Sequence, residues 1–154
     1  MISKPLPRGG YKQHLERLGK NCAFCGEKDS LSIKEYKNWT LAYAAFPYRK
    51  YHTLIFSKRH VTQFSELGNE ELTELGHITK EVNQMYTKSG IIGEHSKFGD
   101  QLYFSWRNRS EAETEKKAVS HFHVHVYPEM GKEITLVLDE EAWNIDISRL
   151  NTAG

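Results

Sequence analysis

Apolar and polar positions alternate along several short stretches of the chain and recur at helical spacing in one longer stretch. SIKEYKN at 32–38 and WTLAYAAF at 39–46 read as two strands. The second continues through FPYRKY into HTLIFS at 52–57, a buried-strand pattern that ends in a basic turn. Leu72, Leu75, Ile78, Val82 and Met85 then form one apolar stripe at helical spacing. Asn69 is the expected N-cap of this helix, with Glu70 and Glu71 suited to its first turn, and Gly90 and Gly93 mark its end. QLYFSWR at 101–107 and AVSHFHVHVYP at 118–128 read as further strands, the latter stopped by Pro128. RSEAETEKK between them is a loop by composition.

The ends of the chain are less regular. Residues 1–10 hold two prolines and two glycines and read as a loose arm, and Tyr11, Leu15 and Leu18 predict a short helix stopped by Gly19. Residues 131–154 form a C-terminal extension whose segment ITLVLDEEAWNIDISRL suits either a strand or a helix. No internal repeat is visible. The expectation is one α+β domain over 1–154, with a mainly antiparallel sheet of about five strands, one long helix and a short N-terminal helix.

Composition narrows the function classes. With 154 residues, 38% hydrophobic and 27% charged, the chain suits one packed domain and not a disordered one. Its 21 basic and 20 acidic residues leave a net charge of +1, which gives no reason to expect a nucleic-acid partner. No apolar run approaches the roughly 20 residues of a membrane helix, and MISKPLPRGG contains no apolar signal core. These features predict a cytoplasmic protein without a membrane partner. In that compartment Cys22 and Cys25, spaced C-x-x-C, suggest a metal site or redox pair more than a structural disulfide.

The chemistry concentrates in SHFHVHVYP at 120–128. In a strand, residues i, i+2 and i+4 share a face, which predicts His121, His123 and His125 in a row about 6 to 7 Å apart. Phe122, Val124 and Val126 would then face the core. Imidazoles fill a buried surface poorly, and three together call for polar partners, a metal or an anion. A solvated strand face is the bland alternative. An all-histidine metal site is another, although parallel side chains on one strand suit a single ion badly.

This pattern resembles the motif of the histidine triad (HIT) superfamily of nucleotide hydrolases and transferases. YHTLIFSKRHV at 51–61 resembles the family's other strong segment, and an N-terminal C-x-x-C occurs in its zinc-bearing branches. The resemblance spans about residues 20–130 and implies a HIT-like fold. It assigns His123 as the nucleophile that attacks a nucleotide α-phosphorus to form a covalent nucleotidyl-imidazole. A backbone carbonyl could hold its other nitrogen as N–H and aim the lone pair. His125 and His52 match residues near phosphate oxygens, and Asn108 matches a nucleotide contact. Zinc would be held by Cys22, Cys25, His60 and His121. Relatives are commonly homodimers, with the long helix and a strand edge near the interface.

The chain departs from the family in two places. Lys116, Lys117 and Ala118 stand where many relatives carry Gly-Gln-Ser or Gly-Gln-Thr against the phosphates, in a loop about two residues longer than usual. Lys117 would bind phosphate as a point charge or belong to a solvated loop. Tyr51 stands where a glycine usually precedes the histidine, which narrows the pocket or alters the turn. Tyr43, Phe46 and Tyr48 are candidates for a base platform, with core packing favoured for each. Trp106 and Trp143 read as core or dimer contacts, and His14, His77 and His95 carry no motif. The leading expectation is an enzyme acting on a small-molecule nucleotide. The alternatives are a nucleotide-binding regulatory module with little turnover and a zinc-stabilised interaction domain.

Overall fold

The computed structural model describes residues 24–25, 31–44, 47, 50–94, 96, 99–108 and 121–128. The expected helix near 11–19, the C-terminal extension, Cys22, Phe46, Tyr48, Lys116, Lys117, Ala118, Trp143, His14 and His95 lie outside the described residues.

Five strands form one antiparallel sheet. They are β1 (Ser32–Glu35), β2 (Trp39–Tyr43), β3 (Thr53–Ser57), β4 (Leu102–Ser105) and β5 (His123–Pro128), in the order β1-β2-β3-β5-β4. The sheet pairs β3 with β5 across a long stretch of sequence, with Leu54 opposite His125 and Phe56 opposite His123. This pairing brings the HTLIFS and HFHVHV segments together. β4 lies beyond β5 at one edge.

One helix, α1 (Asn69–Lys88), packs its stripe into the core. Ile78, Val82, Met85 and Tyr86 are buried with Trp39, Leu41, Ile55, Phe122, Val124 and Val126. Leu72 and Leu75 pack against the margin of this cluster. Each fully buried side chain of this size contributes about 1.5–3 kcal/mol of hydrophobic stabilisation. The Trp39 indole N–H donates to the Glu71 carbonyl at 3.0 Å, tying β2 to the first turn of α1. Asn38 adds a second tie, its backbone and side-chain N–H groups donating to the Glu74 carboxylate at 2.9 and 2.8 Å.

The N-cap is Gly68, not Asn69, which is the first helical residue. The reason lies three residues on: Glu71 reaches back to accept the Gly68 N–H at 2.9 Å, so its carboxylate satisfies an end that needs no Asn side chain. Arg59 donates to the same carboxylate at 2.8 Å and holds it below the usual carboxylate range. At the other end Gly90 adopts the left-handed region, φ 76°, one residue past Ser89.

Candidate functional site

The alternation expected for the last strand holds from His123 onward. Val124, Val126 and Pro128 are buried, while His123, His125 and Tyr127 are half-buried on the opposite face. It does not extend to His121. That residue lies in a bend before β5 and is buried, as is Phe122 beside it. The three imidazoles are therefore not one row: two share a strand face and the first turns inward, because its ring is held by β3.

That hold is specific. His121 Nε2 lies 2.6 Å from the Ser57 carbonyl oxygen and 3.1 Å from the Ser57 hydroxyl. A carbonyl only accepts, so Nε2 carries the proton and Nδ1 the lone pair. Nδ1 faces the Cys25 sulfur at 3.4 Å and His60 Nδ1 at 3.1 Å, and Cys25 and His60 approach within 3.2 Å. Burial, together with the nearby His60 and His123 imidazoles, pulls the His121 imidazole down to about 4, against the bond its N–H donates to the Ser57 carbonyl.

Three electron-rich donor atoms thus converge. In a tetrahedral zinc site, bond lengths near 2.05 Å to nitrogen and 2.3 Å to sulfur place ligand atoms about 3.4 Å (N–N) and about 3.6 Å (N–S) apart. The observed spacings fall two to four tenths of an ångström short of those values. The His121 N–H donated to a backbone carbonyl is also the outer contact that orients a metal-binding imidazole. The donor set and its spacing fit zinc.

The second cluster surrounds His123. Its Nδ1 lies 2.7 Å from the His121 carbonyl oxygen. This bond fixes the proton on Nδ1, so Nε2 is the nitrogen with the lone pair. The rings of His123 and His125 meet edge to face at 4.7 Å. His125 Nδ1 lies 3.0 Å from His52 Nε2, and the His52 ring stands edge-on to Tyr127 at 5.6 Å. His52 is buried just ahead of β3, with its carbonyl accepting the Ala44 N–H at 3.1 Å. A short turn, a strand and one backbone carbonyl thus bring three of the expected residues together.

Tyr51, just before His52, has φ 61°. This is the left-handed region, where a side chain costs about 1–2 kcal/mol relative to glycine. The turn therefore keeps a glycine-like backbone while carrying a tyrosine, whose ring is buried in the core. Asn108 is held by its side-chain oxygen, which accepts the Phe64 N–H at 2.8 Å at the start of the short 3-10 turn Phe64–Glu66. Trp106 stacks on Phe64 at 4.6 Å and is 44% exposed, so it is only partly a core residue. Tyr43 is buried in the core, as favoured, and His77 is exposed on α1.

Sequence reasoning missed Phe24. Its ring stacks on Phe56 at 4.4 Å and stands edge-on to His123 at 5.2 Å and to His121 at 5.7 Å. The available signal was its place between the two cysteines, since a knuckle that brings cysteines to a site carries its aromatic there too. Ser57 was missed as well, and nothing in the pattern of one serine at a strand end distinguishes it.

Comparison with known proteins identifies chains of similar sequence and fold. An uncharacterized 16.1 kDa HIT-like protein of Mycoplasma pneumoniae is 26% identical over 128 residues, 75% of this chain and 76% of that protein. A zinc-bound histidine triad family protein of Mycobacterium smegmatis superposes with a TM-score of 0.63 at 21% identity, over 86% of this chain and 92% of that one. A HIT-like protein of Bartonella henselae, described as involved in cell-cycle regulation, gives a TM-score of 0.62 at 19% identity, over 83% and 89% of the two chains. At these identities the two structures establish likeness of fold. The family model of the HIT domain matches residues 25–132, most of the chain including both histidine clusters, and the chain belongs to that family.

Proposed function

We propose that the protein is a nucleotide hydrolase or nucleotidyl transferase in which His123 attacks the α-phosphorus of a nucleotide. The observation that carries this reading is the 2.7 Å bond from His123 Nδ1 to the His121 carbonyl. It makes Nε2 the basic nitrogen of a neutral imidazole, a competent nucleophile near pH 7. In the first step the Nε2–phosphorus bond forms and the bond from phosphorus to the leaving group breaks, the leaving group taking the electron pair and a proton from solvent water. In the second step water, losing a proton to solvent, or an already ionised phosphate-bearing acceptor attacks phosphorus, and the electron pair of the phosphorus–nitrogen bond returns to Nε2 of His123. His52 and His125 serve the phosphate oxygens, where donors are most valuable as charge develops. Asn108 and Lys117 are further nucleotide contacts in this reading.

We assign zinc to Cys25, His60 and His121, with Cys22 as the fourth ligand. The convergence of the three described donor atoms supports the assignment. When bound, zinc supplies a structural cross-link between the knuckle, the end of β3 and the start of β5. Thiolate ligands of this kind suit a reducing cytoplasm. None of the described helices is long and apolar enough to cross a membrane.

The occupant we assign to the β4 edge is a second copy of the chain. Tyr103, Phe104 and Trp106, all on or just after β4, are the exposed large hydrophobic residues among those described. β4 pairs with β5 alone among the described strands, and an edge left uncovered is prone to pairing. Sedimentation of wild type and Phe104→Glu tests this: a dimer that dissociates in the variant is expected, and a monomeric wild type refutes it.

The catalytic reading is tested by intact-protein mass spectrometry after brief, acid-free quenching with nucleoside phosphoramidates, dinucleoside polyphosphates and nucleotide sugars. The expected result is a nucleotidyl mass increment in wild type and none in His123→Ala, with products assayed in the same tubes. Turnover retained by His123→Ala overturns the nucleophile. Nucleotide affinity with neither adduct nor product favours instead a binding module, the reading motivated by Lys116-Lys117-Ala118 in place of the family's usual phosphate loop.

A further inference from the structure

We propose that Tyr86 is a positioning residue for His52: its hydroxyl clamps the two residues that flank this histidine and so sets where the imidazole meets a bound phosphate. The inference rests on the phosphate-contacting role proposed above for His52.

The argument starts from Tyr51. Its φ of 61° is a conformation that a side chain disfavours and that relaxes unless its surroundings hold it. The Tyr86 hydroxyl provides that hold. It donates to the Tyr51 carbonyl at 2.5 Å. It also lies 2.9 Å from the Thr53 hydroxyl. A phenol has one proton, and the Tyr51 carbonyl takes it, so the Thr53 hydroxyl donates to the Tyr86 oxygen. One atom on α1 thus bonds to the residue before His52 and to the residue after it.

All the participants are buried. Tyr86 is 1% exposed and Thr53 is fully buried, so no bulk water competes for these bonds. Burial also holds the Tyr86 phenol protonated far above its ordinary range, which keeps it a donor to the carbonyl. The Ala44 N–H bonds the His52 carbonyl from the β2 side. The backbone of residues 51–53 is therefore fixed from both the helix and the sheet. The His52 ring extends from that fixed backbone to His125, 3.0 Å away. Without the hydroxyl, the Tyr51 carbonyl loses its buried donor, and the left-handed turn loses the bond that opposes its relaxation. A displacement there moves the His52 ring directly, since the turn ends at His52 itself.

The test compares wild type, Tyr86→Phe, Tyr51→Gly and the double variant as full-length zinc-loaded protein. Ring nitrogens are followed by long-range proton–nitrogen correlation NMR at one fixed pH, and turnover is measured with a nucleoside phosphoramidate. Tyr86→Phe keeps the aromatic ring and removes only the hydroxyl. The expected result is a change in the His52 and His125 ring signals with the His60 signals unmoved. The accompanying loss in kcat is about tenfold with KM little changed, as for a contact made mainly in the transition state. Glycine adopts the left-handed region without strain. Adding Tyr51→Gly should therefore bring the His52 signals of Tyr86→Phe back toward those of Tyr51→Gly alone.

A fall in Tm with unchanged His52 signals and unchanged kcat overturns the inference and leaves Tyr86 a packing residue. If Tyr86→Phe does not fold, Thr53→Val removes the second bond at nearly constant shape and is expected to move the same signals in the same direction. Unmoved signals there overturn the inference as well. A wild type with no nucleotide turnover or affinity refutes the functional reading, while the ring signals still decide whether the clamp exists.

Discussion

The proposed zinc binding is open to a quantitative test, because three of its four proposed ligands already converge. Cys25, His60 and His121 place their donor atoms 3.1 to 3.4 Å apart, and the tetrahedral geometry above needs only a small expansion. A site that requires so little rearrangement retains most of its binding free energy as stabilisation of the folded state. With free zinc at one hundred times the dissociation constant, that stabilisation is about 2.7 kcal/mol. For a domain of this size each kcal/mol moves Tm by about 2–4 °C, so the expected rise is about 5–11 °C. The assay is calorimetry of metal-stripped protein with and without zinc. Cys25→Ser should lose most of the rise, because a serine hydroxyl does not form the anionic sulfur ligand. His125→Ala should keep it, because His125 points to His52 instead. Zinc should also release protons at pH 7, where an ordinary cysteine thiol is largely protonated. A Tm insensitive to zinc, or an equal rise in Cys25→Ser, refutes the site.

Two further outcomes are expected from the helix. Glu71 has its carboxyl held below the usual range, chiefly by the Arg59 hydrogen bond, so the unfolded chain binds its proton more readily than the folded one. Its stabilising effect is complete above the ordinary carboxylate pKa of about 4.3 and is lost as pH falls through the lower folded value. A Tm-versus-pH series should therefore show a smaller acid loss in Glu71→Gln than in wild type, and parallel curves would contradict this account. Gly76 lies inside α1, and an added Cβ would meet nothing within 4 Å. Gly76→Ala should raise stability by about 0.5–1 kcal/mol in urea unfolding, and a loss would show that the site is less open than its geometry indicates.

The elements with a strong period were legible in the sequence. The stripe Leu72, Leu75, Ile78, Val82 and Met85 specified α1 because one helical face must be buried. Val124 and Val126 specified β5 and its outward His123 and His125, since strand alternation fixes one face once the other is buried. The position of His121 was not legible in that way. Alternation predicts a face only inside a strand, and β5 begins two residues later. Its ring direction is set by the Ser57 carbonyl, 64 residues away in the chain. Phe24 beside His123 is a contact of the same long-range kind. The N-cap falls one residue before the expected Asn69 for a local reason instead. Asn69 has the better capping side chain, but Glu71 already supplies an acceptor to the Gly68 N–H.

Tyr51 shows how such long-range bonds permit a local departure. Taken alone, a tyrosine where the family resemblance leads one to expect glycine predicts an altered turn. The turn is kept at φ 61°. A left-handed tyrosine costs about 1–2 kcal/mol, and a buried hydrogen bond returns about 0.5–1.5 kcal/mol. The Tyr86 hydroxyl bond to the Tyr51 carbonyl is therefore of the size needed to offset most of the strain. The buried Tyr51 ring adds hydrophobic burial that glycine lacks. Local backbone preference loses here to two tertiary effects of comparable magnitude. Tyr86 gave no warning of this in the sequence, where it reads only as the position four residues after Val82 on a buried helical face. The same hydroxyl explains how the backbone before His52 stays in place without glycine, and it makes the histidine site dependent on a helix that contributes no residue to the proposed chemistry.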